Sequence, residues 1–116
     1  MIRLEATLDG AGVLVEYRAS GHAGAGPAGA DIVCAAVSAL SRSLVRALHG
    51  KDGVTVRSDA PERGRFSVEI CYTNGAREFL EGAGAFLLEG LASVAEEYPE
   101  HCKLTVTRKQ EAAYGT

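Results

Sequence analysis

Apolar and polar residues alternate without a break over residues 2–9. Ile2, Leu4, Ala6 and Leu8 fall on one side, and Arg3, Glu5, Thr7 and Asp9 on the other. A period of two is that of a strand with one face buried. Asp9-Gly10-Ala11-Gly12 then reads as a hairpin turn, because glycine supplies positive φ without steric cost. A second strand follows over residues 13–20, with Val13, Val15, Tyr17 and Ala19 on one face. Residues 21–30, GHAGAGPAGA, carry almost no side chains and read as a loop.

From Asp31 the period lengthens to that of a helix. Asp31 is the expected N-cap. Val33, Val37, Leu40, Leu44 and Leu48 make the apolar stripe, and Gly50 marks the end near His49. Residues 53–57 read as a short strand, followed by a polar turn with Pro61 and Gly64. Over residues 65–73, Phe66, Val68, Ile70 and Tyr72 alternate with Ser67, Glu69, Cys71 and Thr73. Asn74-Gly75 opens a second helix, in which Phe79, Ala83, Phe86, Leu87, Leu91 and Val94 are expected to face the core. Glu78, Glu81, Glu89 and Glu96 are expected to face water, and Pro99 stops the helix. A last strand covers residues 102–108, and the polar tail from Lys109 is expected to fray. The order β-β-α-β-β-α-β is rich in hairpins. It predicts a two-layer α+β fold, a largely antiparallel sheet with both helices on one face.

A length of 116 residues fits one domain, taken as residues 1–116. The formal charge of −3 comes without a basic stripe, which argues against direct nucleic-acid binding. No run of ~18 apolar residues predicts a membrane span. The alternating, acid-bearing start is unlike a signal peptide, so the expected location is cytoplasmic.

The three cysteines, Cys34, Cys71 and Cys102, form no CxxC pair. An odd count argues against a disulfide framework, and nothing in the spacing suggests zinc. No metal or cofactor is expected. Gly24-Ala25-Gly26-Pro27-Ala28-Gly29 does spell GxGxxG. That fingerprint belongs to a parallel βαβ unit, and here the preceding strand is the second arm of a hairpin. The loop also lacks the lysine of a Walker A motif.

If Asp31 caps the helix, Cys34 falls in the first turn, where free amides and the macrodipole favour a thiolate. Those amides would also be candidates for an oxyanion hole. His22 ends the second strand, across the loop, and the spacing permits contact between imidazole and thiol. Ser38 lies one turn beyond Cys34 on the same helix face. On spacing alone, however, a cysteine among Ile32, Val33, Ala35 and Ala36 is usually a small buried hydrophobe. Asp31 either orients His22 or only caps the helix. His49, Cys71, His101 and Cys102 read as structural; Cys71 points away from the core and Cys102 into it.

Gly21-His22-Ala23, followed by Gly29-Ala30-Asp31-Ile32-Val33-Cys34-Ala35-Ala36-Val37-Ser38, resembles the motif of the ribosomal-processing cysteine proteases, the Prp family. The match spans both motif halves and their separation. The resemblance implies a catalytic dyad of His22 and Cys34, with Gly21, Asp31 and Ser38 at the family's other motif positions. It implies a substrate as well, the precursor of large-subunit ribosomal protein twenty-seven, from which a short N-terminal extension is removed. A homodimer is also implied. The alternative is a non-catalytic ribosome-associated binding module that keeps a buried Cys34.

Overall fold

The computed structural model describes residues 1–21, 28–62 and 64–110. Its elements are β1 (Ile2–Leu8), β2 (Leu14–Ser20), α1 (Ala28–Leu48), β3 (Val54–Asp59), β4 (Arg65–Tyr72), a 3-10 turn (Asn74–Ala76), α2 (Arg77–Glu97) and β5 (Cys102–Arg108). The strands form one sheet in the order β3-β4-β2-β1-β5. The β1–β2, β2–β4 and β3–β4 pairs are antiparallel. The pair β1–β5 is parallel, from Ile2 opposite Cys102 to Leu8 opposite Arg108. The sheet is therefore mixed, with β2 at its centre.

Register carries the alternation across the sheet. Leu4 faces Ala19, Ala6 faces Tyr17, and Tyr17 faces Val68. These positions share one face, and they bury against Val33, Val37, Leu44 and Leu48 of α1 and Leu80, Leu87 and Leu91 of α2 in a single core. Both helices thus cover the same face. Each fully buried aliphatic or aromatic side chain contributes about 1.5–3 kcal/mol relative to exposure. The hairpin between β1 and β2 turns around Asp9, which is wholly buried. Its carboxylate accepts from the amides of Ala11 (2.9 Å) and Val13 (3.0 Å) and from the Tyr72 hydroxyl.

Three local expectations change. First, α1 begins at Ala28, so Asp31 is its fourth residue and not its N-cap. Alanine is the best helix former, and the one glycine among Ala28, Gly29 and Ala30 costs only about 1 kcal/mol. Second, Phe79 and Phe86 of α2 are exposed, at 38% and 77%. The buried line is Leu80, Gly84, Leu87 and Leu91. Close approach fits this phase: Gly84 on the buried line lies so near β2 that a Cβ there would press on the Leu14 side chain at 3.1 Å. A large ring turned to that side would hold the helix off the sheet. Phe79 instead carries the Lys51 ammonium 4.5 Å above its ring, a cation–π contact. Third, the end of the chain is tied for one residue beyond β5, because the Lys109 amide donates to the Leu8 carbonyl at 2.7 Å. Residues 111–116 of the expected frayed tail lie outside the described residues.

Candidate active site

The chain leaves β2 through Gly21, at a φ of +94°. Its amide donates to the Gly64 carbonyl at 2.9 Å. A Cβ at this position would collide with the carbonyl oxygen of Met1. Glycine is thus required twice over, for the positive φ and for the close approach of another backbone. The pair of backbones held here, the exit of β2 and the turn into β4, faces α1 across a cleft.

The cleft has a volume of about 460 Å³. Ala19, Ser20 and Gly21 line it from β2 and its exit, Gly64 and Phe66 from the turn and β4, and Cys34, Val37, Ser38 and Ser41 from α1. Arg42, Glu62 and Arg65 add charge to the lining. The Arg65–Glu62 ion pair, at 3.3 Å, is exposed on both sides, and such pairs contribute little to stability.

Cys34 is the seventh residue of α1 and is exposed. It is therefore not the small buried hydrophobe that its apolar neighbours would allow. Nor is it in the first turn, where the helix leaves amides unpaired and the macrodipole is strongest. The first-turn amides are consequently set back from Cys34 by the longer helix. Ser38, one turn on, is also exposed and lines the same cleft. At this spacing Cβ atoms are ≈ 5–6 Å apart. Asp31 lies in the first turn of α1. His22 and the rest of the loop to Pro27 lie outside the described residues. Among the sequence-selected residues, the structure thus brings Gly21, Cys34 and Ser38 to one cavity.

The other cysteines fall as the alternation predicts. Cys102 is buried at 2% exposure, and burial pushes its thiol pKa up. Cys71 is exposed on the sheet face that the helices leave open. Among the described residues, no group of three or more His, Cys, Asp or Glu side chains could hold a metal ion. Among them, too, no helix is long and apolar enough to cross a membrane.

Sequence reasoning passed over the floor of the cleft. Ser41 is buried at 4% exposure. Its hydroxyl donates to the Val37 carbonyl at 2.7 Å and lies 2.8 Å from the hydroxyl of Tyr17. A signal was present, because Ser41 falls on the apolar side of α1 between Val37 and Leu44. A hydroxyl there must find partners.

A family model described as cysteine protease Prp matches residues 1–103. Among solved structures, SMU.848 from Streptococcus mutans is 34% identical, with 94% of this chain and 96% of that one covered at a TM-score of 0.77. The essential ribosomal processing protease Prp from S. aureus, in complex with a covalently linked product peptide, is 26% identical. There 92% of this chain and 100% of that one are covered, also at a TM-score of 0.77. A second structure of the S. aureus protease, with a substrate peptide, is 25% identical and has the same TM-score of 0.77. No curated protein matches the chain. On the extent of the family match and the likeness over nearly the whole fold, this chain belongs to the cysteine protease Prp family.

Proposed function

We propose that the chain is a cysteine endopeptidase that removes a short N-terminal extension from the precursor of large-subunit ribosomal protein twenty-seven. The observation that carries this reading is the exposed Cys34 thiol in a cleft that also receives Gly21, since His22 is the next residue in the chain. The S. aureus relative is a ribosomal processing protease seen with substrate and product peptides, and its fold is shared over 92% of this chain.

In this mechanism His22 takes the proton of Cys34, and the thiolate attacks the scissile carbonyl carbon. The tetrahedral intermediate collapses to a thioester as His22 gives its proton to the leaving amine. Water then hydrolyses the thioester and frees the thiol. The Ser38 hydroxyl stands on the same helix face as Cys34 and is the side-chain donor assigned to the substrate. Asp31, the fourth residue of α1, is given the role of orienting His22 in this reading. The enzyme acts in the cytoplasm as a homodimer, and the exposed rings of Phe79 and Phe86 give such a pairing apolar surface to cover.

The binding-module alternative gains no support from a thiol that faces an open cleft. The test is to incubate the chain with the precursor and read its N-terminus by mass spectrometry. Shortening by wild type but not by Cys34→Ala supports the protease; an intact precursor with both defeats it.

A further inference from the structure

Tyr17 is where the three walls of the cleft meet. It sits on the central strand β2, wholly buried, two residues before Ala19. Its ring meets Phe66 of β4 edge-on, with centroids 6.1 Å apart and planes at 64°. Its hydroxyl lies 2.8 Å from Ser41 Oγ on α1. Ser41 has one hydroxyl proton, which goes to the Val37 carbonyl. The proton between the two hydroxyls therefore belongs to Tyr17, which donates to Ser41. Burial pushes the Tyr17 phenol up to about 12, so the donor stays protonated at any working pH.

We propose that the Tyr17–Ser41 hydrogen bond is a positioning device for the nucleophile, fixing the rotation of α1 so that the Cys34 thiol faces the cleft. The proposal rests on Cys34 being the nucleophile. Apolar packing is non-directional and by itself aims no single side chain. A hydrogen bond is directional and weakens steeply as its angle bends. Cys34 lies seven residues before Ser41, about 10.5 Å along the axis and within about 20° of it around the helix. The angle set at Ser41 is therefore the angle at Cys34. Tyr17 is held in turn by Phe66, which lines the opposite wall, so the device refers the thiol to the wall it works against. Displacing a reacting group by 1 Å can cost about 10²-fold in rate.

The variants are Tyr17→Phe, which keeps the ring and its contact with Phe66, and Ser41→Ala. Circular dichroism and thermal melting first establish that each is folded well above the assay temperature. Ser41→Ala reads the same link from the helix side, so a folding defect in one variant leaves the other as the test. With a quenched-fluorescent peptide spanning the precursor junction, each variant is expected to lower kcat about ten- to a hundredfold and to leave KM within about twofold. The double variant is expected to be no worse than either single one, as for two halves of one interaction. In parallel, the rate at which iodoacetamide alkylates Cys34 is followed against pH, and both variants are expected to shift that profile. Wild-type kcat together with an unshifted profile in folded variants overturns the proposal. Undiminished cleavage by Cys34→Ala overturns instead the reading it rests on, and the alkylation profile still decides whether the link orients the thiol.

Discussion

Gly21 and Met1 touch backbone to backbone. The α-hydrogen side of Gly21 lies against the Met1 carbonyl so closely that any Cβ would overlap the oxygen. The contact brings the start of β1 to the exit of β2, the point from which the chain departs towards His22. Gly21→Ala is expected to lower stability by about 1–3 kcal/mol, through the positive φ and the overlap together. It is also expected to lower cleavage beyond what the fraction unfolded explains. Urea denaturation, paired with an assay far below the transition midpoint, separates the two effects.

Alkylation ranks the cysteines. Cys34 is exposed beside a cleft and has His22 as its proposed base, Cys71 is exposed on the open sheet face, and Cys102 is buried with a raised thiol pKa. Iodoacetamide at neutral pH is expected to modify Cys34 first, Cys71 next and Cys102 last, as read by peptide mass mapping. Equal rates at Cys34 and Cys71 would show that exposure alone controls the thiol.

Cys34→Ala, Cys34→Ser and His22→Ala are each expected to reduce precursor cleavage by at least about 10³-fold, as when one member of a catalytic unit is removed. Because Cys34 is exposed, its substitution is expected to leave the unfolding free energy within about 0.5 kcal/mol of wild type. A Cys34→Ser variant that still processes the precursor at the wild-type rate would place the nucleophile elsewhere.

Alkaline pH probes the buried phenol. The Tyr17 pKa rises from an ordinary value of 10.0 to about 12 in the fold. A group whose folded pKa is raised contributes stability that is present below its unfolded value and lost as pH rises through its folded value. The contribution of Tyr17 is therefore complete below pH 10.0 and disappears by about 12, a loss of about 3 kcal/mol. Cys102 works in the same direction. Urea midpoints measured across this range are expected to fall for wild type and to fall less for Tyr17→Phe. Parallel curves for the two proteins would remove Tyr17 from the alkaline transition.

Much of the fold is legible in local pattern. A strand with one wet face must alternate, so Ile2, Leu4 and Ala6 are inward and Arg3 and Glu5 outward before any partner is known. The same parity separates Cys71, outside, from Cys102, inside. The apolar stripe of α1 is legible too, because Val33, Val37, Leu44 and Leu48 recur at helical spacing and all are buried. Gly21, His22, Cys34 and Ser38 can be selected as a set because their order and spacing resemble a family motif.

Other features depend on what lies far away in the chain. The parallel partnership of β1 with β5 joins residues a hundred positions apart, and nothing in either strand encodes its neighbour's direction. The phase of α2 is ambiguous locally, since Phe79, Ala83 and Phe86 make nearly as good a stripe as Leu80, Leu87 and Leu91. The approach of Gly84 to Leu14 on the buried line is a matter of space, which hydrophobicity alone does not measure. The start of α1 at Ala28 sets a polar cap preference at Asp31 against the helix propensity of the alanines before it, and the alanines prevail. The cleft belongs to no single segment. Its walls come from β2, β4 and α1, and the hydroxyl pair of Tyr17 and Ser41 beneath it forms only when those elements pack. Residue type and spacing thus determine which groups are chemically capable. Distance and direction between elements exist only once the chain has folded, and they decide which of those groups share one cavity.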